Sequence, residues 1–193
     1  EFSTIFSKIK PDVVVTVGDR FETIATAISS AYLNIPLAHL QGGEVSGNLD
    51  EMVRHAITKL ASYHFTSTKK SRERVIRLGE EKKRLFFSGC PGMDLIKNIK
   101  NKKINKKFIE NFSYTGKKFL FDKKYILVIN HSVSTESKRK NLENISALLK
   151  TLSKMNYHKI MFWPNPDAHN DVISSQMRIF KEKYTKDDFT FII

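Results

Sequence analysis

The residues able to do chemistry fall in a few short segments: Gly18-Asp19-Arg20, His39-Leu40-Gln41-Gly42-Gly43-Glu44, Asp50 to His55, His131, and Pro164-Asn165-Pro166-Asp167. Asp19, Glu44 and Asp50 are three carboxylates suited to proton transfer. Gathered around one cleft, their mutual repulsion would raise at least one pKa, and such a group acts as acid or base near neutral pH. Arg20 offers a planar fork that matches phosphate oxygens. Each residue also has a plainer role. Asp19 could cap a helix starting at Arg20, and Arg20 could be a solvated charge. Gly42-Gly43 fits neither the dinucleotide fingerprint nor a Walker loop, and reads by default as a tight turn. Asp50 and Arg54, four apart on one helical face, have the spacing of an ordinary surface ion pair. His39, His55 and His64 read as packed or hydrogen-bonded histidines, and His158 and His169 as surface or loop residues. The histidine spacings match no zinc motif, so no metal site is predicted.

These segments follow apolar runs that must position them. Val13 to Val17 is a continuous β-branched run, expected to be a strand buried on both faces. An Ala-rich helix follows from Phe21 to Tyr32, then a strand from Ile35 to Leu40. Asn48 with Glu51 three residues on reads as a capping box. The helix behind it is expected to bury Met52, Ala56, Leu60, Val53, Ile57 and Ala61 on one broad face. A strand at Tyr63 to Ser67, a basic helix from Lys69 to Leu78 and a strand at Arg84 to Phe87 complete a first series. A second series runs from Tyr125: strand to Asn130, helix Asn141 to Met155, strand Lys159 to Trp163, helix Asp171 to Lys183, strand Phe189 to Ile193. Between them the stretch 97–124, rich in Lys and Asn, reads as a helical or loop connection. Strands alternating with helices predict an open parallel α/β sheet, with ligands outside the carboxyl ends of the strands. The segments named first are those strand ends, in the pattern of a cleft between two facing sheets.

The chain has 193 residues, 33 Lys plus Arg against 20 Asp plus Glu, and a formal charge of +13. At 40% hydrophobic and 27% charged it is expected to be a soluble globular protein. The single cysteine, Cys90, excludes an internal disulfide framework and a Cys-based zinc cluster. The apolar runs are far shorter than the roughly 20 residues of a membrane helix, and Glu1 opens a polar segment unlike a signal peptide. A cytoplasmic protein is expected, and the lack of an initiator Met reads as a fragment.

Val17-Gly18-Asp19-Arg20-Phe21-Glu22 resembles the strand-end motif of the hydrolysing UDP-N-acetylglucosamine 2-epimerases. So does His39 to Gly47, continued through Asp50 and Arg54-His55-Ala56-Ile57-Thr58-Lys59. Ser88-Gly89-Cys90-Pro91-Gly92-Met93-Asp94, Asn130-His131 and Pro164 to Ala168 extend the match in order. The chain is similar in the same region to the epimerase part of the animal bifunctional epimerase/kinase and to bacterial enzymes for sialic and legionaminic acid precursors. The resemblance implies a GT-B-type pair of Rossmann-like domains with parallel sheets and UDP bound between the halves. Residues 1–96 would be the later part of the first domain, 97–124 the connection and 125–193 the first half of the second, so both would be incomplete and this stretch alone would show little turnover.

The implied reaction removes the C2 proton of the sugar, expels UDP to leave a glycal, and adds water with inversion at C2. Asp19, Glu44 and Asp50 would be its carboxylates. Arg20 and His131 would hold the diphosphate, His131 being equally placed for proton transfer, and Asn165 would lie near the nucleotide. Gln41, Gly42, Gly43 and Arg54 would complete the substrate contacts. No cofactor, nucleic acid or membrane partner is implied, and the full-length enzyme would be a homo-oligomer. Gln41 stands where several family members carry a Glu, and an amide does not transfer protons in the ordinary way. Two other functions compete: a GT-B glycosyltransferase with the same donor, and a nucleic-acid-binding module suggested by the charge. Against the second, the lysines fall on helices and on 97–124, no basic strip interleaves aromatics, and the Phe residues read as core.

Overall fold

The computed structural model describes residues 1–99, 113–119, 124–183 and 188–192. The chain divides into two compact units, Glu1–Lys102 and Lys103–Ile193.

The first unit runs α1 (Phe2–Ile9), β1 (Val14–Val17), α2 (Thr23–Tyr32), β2 (Leu37–Leu40), α3 (Leu49–Leu60), β3 (Tyr63–Thr66), α4 (Lys69–Arg77), β4 (Leu85–Phe87) and α5 (Pro91–Ile99). Its four strands lie side by side in chain order, all parallel, with Val17 opposite Leu40 and Leu40 opposite Phe65. Val14, Ala27, Leu37 and Ile57 form the core, with Phe6, Ile24, Ile35, Val53, Leu60 and Ala61 packed against it.

Two sequence expectations need correction here. β1 is buried on one face only: Val14 and Thr16 point inward, whereas Val13, Val15 and Val17 are exposed. The strand lies at the sheet edge, and the described helices cover only the Val14 side. Helix α3 also turns differently from its apolar pattern. Met52 and Ala56 face solvent, while Arg54 and Thr58 are buried beside Ile57. The polar pair finds hydrogen-bond acceptors inside, which is the condition for burying such groups.

The second unit contains β5 (Tyr114–Gly116), β6 (Tyr125–Val128), α6 (Lys138–Ser153), β7 (His158–Phe162), α7 (Asn170–Lys183) and β8 (Phe189–Ile192). Its sheet has the order β5-β8-β7-β6. β6, β7 and β8 are parallel, and β5 is an antiparallel edge strand with Tyr114 opposite Ile192. The expectation of a wholly parallel sheet is corrected at that edge. The stretch 97–124 is not connection alone, since its described part holds the end of α5 and all of β5; Lys100, Lys102, Lys103, Lys106 and Lys107 lie outside the described residues. The core joins Val128, Ile145, Leu149, Leu152, Met161, Ile173, Met177, Phe180, Phe189 and Phe191. These phenylalanines are core as expected, but Phe2, Phe21, Phe86 and Phe87 are exposed. His158 lies within β7, half-buried and hydrogen-bonded to Thr190, rather than on the surface. Among the described residues no helix is long and apolar enough to cross a membrane.

Candidate active site

Helix α3 organises the strand ends of the first unit. Asn48 caps it, its side-chain oxygen accepting from the Glu51 N–H at 3.3 Å. The Glu51 carboxylate does not return to the cap residue as in a standard capping box. It accepts instead from the N–H groups of Ser46 and Gly47, at 2.7 and 2.6 Å. These two backbone donors are the main reason the Glu51 carboxyl is held below its ordinary pKa. One turn further on, Arg54 is 5% exposed. Its Nε donates to the Gly18 carbonyl, and its Nη1 to the Glu44 carbonyl at 2.9 Å and the Ser46 hydroxyl at 3.5 Å. Arg54 therefore faces the two loops, and the ion pair that its spacing from Asp50 allows is not the one formed. Another turn on, the Thr58 hydroxyl donates to the Arg54 carbonyl and lies 3.2 Å from His39 Nδ1.

His39 is fully buried in β2 and forms the floor under both loops. With the Thr58 proton committed to Arg54, His39 Nδ1–H is the donor of that pair, which leaves Nε2 as a buried acceptor without a partner. Burial, reinforced by the nearby His64, Arg54 and His55, draws its pKa from 6.5 to about 3, so the ring is neutral. The adjacent His64 is also buried, with its pKa lowered by burial against the opposing pull of Glu80, 3.2 Å away.

Gly18 lies against the His39 ring so closely that a Cβ there would be 2.2 Å from Nε2. Gly42 has the same ring on its other side, with 3.1 Å from its would-be Cβ to Nδ1. Gly43 is left-handed, at φ 77°, with its carbonyl accepting from Arg74 at 3.1 Å. Gln41 is also left-handed, at φ 63°; its N–H bonds the Phe65 carbonyl at 2.8 Å, and its side-chain amide donates to Cys90 Sγ at 3.7 Å. The Gln41-Gly42-Gly43 turn is thus packed down on His39, α3 and α4.

The two fastened loops present the predicted residues. Asp19 is exposed at the end of β1 and does not cap α2, whose first turn is tied by the Thr23 hydroxyl to the Arg20 carbonyl. Arg20 is half-buried, pairs with Glu22 at 2.9 Å and lies over the Phe21 ring. Glu44 and Asp50 are half-buried, one in the loop after β2 and the other in the first turn of α3. The structure brings the backbones of the Asp19 and Glu44 loops together through Arg54.

The remaining two predicted residues meet in the second unit. The Asn165 N–H, in the loop after β7, donates to His131 Nδ1, in the loop after β6, at 3.1 Å. That bond places the His131 proton on Nε2. Asn141, almost fully buried in α6, secures the His131 loop through the N–H and carbonyl of Val133 and the carbonyls of Glu136 and Ser137.

Sequence reasoning missed the fastening roles of Glu51, Thr58, Cys90 and Asn141. Glu51 was visible as half of a capping box; a buried polar residue such as Asn141 leaves no signal in an apolar pattern. Among the described residues no group of three His, Cys, Asp or Glu side chains could hold a metal ion.

A family model described as UDP-N-acetylglucosamine 2-epimerase matches residues 1–191. The chain is 41% identical over 172 residues to the hydrolysing UDP-N,N'-diacetylbacillosamine 2-epimerase of Legionella pneumophila, covering 89% of this chain and 44% of that one. It is 34% identical over 184 residues to the hydrolysing GDP/UDP-N,N'-diacetylbacillosamine 2-epimerase of Campylobacter jejuni, covering 94% and 46%. It thus spans less than half the length of these relatives. In fold it is similar to the crystal structure of UDP-GlcNAc 2-epimerase from Neisseria meningitidis bound to UDP-GlcNAc, with a TM-score of 0.74 at 18% identity, covering 98% of this chain and 51% of that one. The α/β architecture of GT-B type expected from the sequence is the one found.

Proposed function

Since the chain belongs to the UDP-N-acetylglucosamine 2-epimerase family, we propose that its protein is a hydrolysing 2-epimerase, acting on a UDP-linked 2-acetamido sugar and releasing UDP with the free C2 epimer. The observation that carries this reading is the pair of strand-end loops bearing Asp19 and Glu44, fastened together beside Asp50. One carboxylate takes the C2 proton as the bond from C1 to the diphosphate oxygen breaks, leaving a C1–C2 double bond and UDP. A water hydroxyl then adds at C1 and a proton at C2 from the opposite face. The sum is UDP-sugar plus water giving epimer plus UDP, with no oxidant or cofactor.

Arg20 and His131 serve the diphosphate, and Asn165 the nucleotide. Gln41, Gly42 and Gly43 orient the sugar; an amide at Gln41 hydrogen-bonds but does not transfer the proton, so that duty stays with Asp19, Glu44 and Asp50. Arg54 serves the same site. We assign the sugar as the 2,4-diacetamido type, after the names of the two relatives at 41% and 34% identity. The working protein is taken to be a cytoplasmic homo-oligomer.

The test is to incubate the full-length protein with UDP-N,N'-diacetylbacillosamine, or with UDP-GlcNAc, in D2O without an acceptor, followed by proton and phosphorus NMR. The expected result is UDP together with a reducing sugar epimerised and deuterated at C2, faster from the diacetamido substrate. UDP release with protium retained at C2, or release only when an acceptor sugar is added, would count against it.

A further inference from the structure

Resting on that reading, we infer that Arg54 is a positioning residue, a clasp that holds the Asp19 loop to the Glu44 loop, and that it does not touch the substrate. Its guanidinium is buried, with Nε on the Gly18 carbonyl and Nη1 on the Glu44 carbonyl. The Gly18 carbonyl belongs to the peptide bond that leads into Asp19, and the Glu44 carbonyl to the one that leaves Glu44. Fixing those two peptide planes fixes the direction in which each carboxylate leaves the backbone.

The neighbours of Arg54 point to the same role. Glu51, Arg54 and Thr58 follow one another along one side of α3 at spacings of three and four residues. Glu51 ties the Ser46 and Gly47 N–H groups, and Thr58 ties His39, the floor under Gly18. Glu51 and Arg54 bond the loop backbones, and Thr58 bonds the ring beneath them. A guanidinium that left to meet a diphosphate would take its donors from two loop carbonyls, that of Gly18 in a buried position, which the fold resists. Only the rigid fork of an arginine spans both acceptors; a lysine ammonium is a single point charge.

The test compares Arg54→Lys, Arg54→Ala and Arg20→Ala in the full-length protein. For Arg54→Lys, kcat should fall by roughly 100-fold, the scale of a small misplacement of catalytic groups. KM and the UDP dissociation constant should stay within about threefold, whereas Arg20→Ala should weaken UDP by about tenfold through loss of a charged phosphate contact. Guanidinium ion added to Arg54→Ala should restore part of kcat. Hydrogen exchange should quicken at residues 18–22 and 44–48 in Arg54→Lys and stay unchanged at 145–152 in α6; this measurement needs no turnover, so it reads the clasp even if wild-type protein releases no UDP and the proposed reaction fails. A UDP dissociation constant that rises in step with the loss of kcat, or unchanged exchange in both loops, would overturn the clasp. If Arg54→Ala does not fold, the Arg54→Lys data decide.

Discussion

Adding one methyl group at Gly18 tests the packing beneath the site. A Cβ at this position would lie 2.2 Å from His39 Nε2, 3.0 Å from Arg54 Cγ and 3.1 Å from His39 Cε1. Nonbonded heavy atoms prefer about 3.5–4.0 Å, so the closest overlap exceeds an ångström. Neither neighbour can move away cheaply: His39 is fully buried and tied to Thr58, and Arg54 is tied to two carbonyls. Overpacking of this kind costs about 1–3 kcal/mol, and Gly18→Ala belongs at the upper end. In a unit of this size each kcal/mol lowers the melting temperature by about 4–8 °C, so a drop of roughly 10 °C or more should appear by circular dichroism. The decisive measurement is a double-mutant cycle in urea with His39→Ala, which removes the ring that the methyl group meets. Gly18→Ala should cost at least about 1 kcal/mol less in that background than in wild type. An equal cost in both backgrounds, or no cost in wild type, would refute the claim that the loop rests on His39.

Acid should weaken the first unit through the same ring. The folded pKa of His39 is about 3 against an ordinary 6.5, so below pH 6.5 the unfolded chain takes up a proton that the folded one refuses. This contribution is complete above pH 6.5 and is lost toward pH 3, at up to about 1.4 kcal/mol per pH unit; His64, also lowered by burial, acts in the same direction. Urea midpoints at about pH 7 and about pH 5 should differ less in His39→Gln than in wild type, and an unchanged difference would count against this account. Two left-handed glycines form a second comparison. Gly47 at φ 72° has nothing within 4 Å of a would-be Cβ, whereas Gly43 at φ 77° has the Ser71 carbonyl oxygen at 2.3 Å. Thermal melts should show Gly47→Ala costing about 1–2 kcal/mol for the backbone alone and Gly43→Ala at least about 1 kcal/mol more for the clash.

The parts of the fold written in side-chain pattern were legible, and those decided by partners were not. β2, β7 and α7 follow from apolar runs and helical periodicity. The Phe2, Ile5, Phe6, Ile9 spacing of α1 was equally readable, although the segment also reads as polar. β5 is three residues long, too short for a period, and is a strand only because β8 pairs with it. The strand-end residues could be named from sequence because turns and strand ends have a chemistry of their own. Arg54 shows where that reasoning stops. Its spacing from Asp50 describes a surface pair, but its burial depends on carbonyls contributed from residues 18 and 44, which no local pattern brings together.

The order of strands in the two sheets has a consequence for how the protein is made. β1, β2, β3 and β4 neighbour one another in the sequence in which they are synthesised. Each can pair with its predecessor as it leaves the ribosome, and every contact closes over one intervening α-helix, with a short 3-10 turn (Lys82–Arg84) added before β4, so loop-closure entropy stays small. The second sheet cannot be completed that way, because Tyr114 at its edge must wait for Ile192. The β1–β4 sheet, on which Asp19, Glu44 and Asp50 are carried, can therefore pair strand by strand during translation, while β5, in the unit that carries His131 and Asn165, pairs only once β8 has been made.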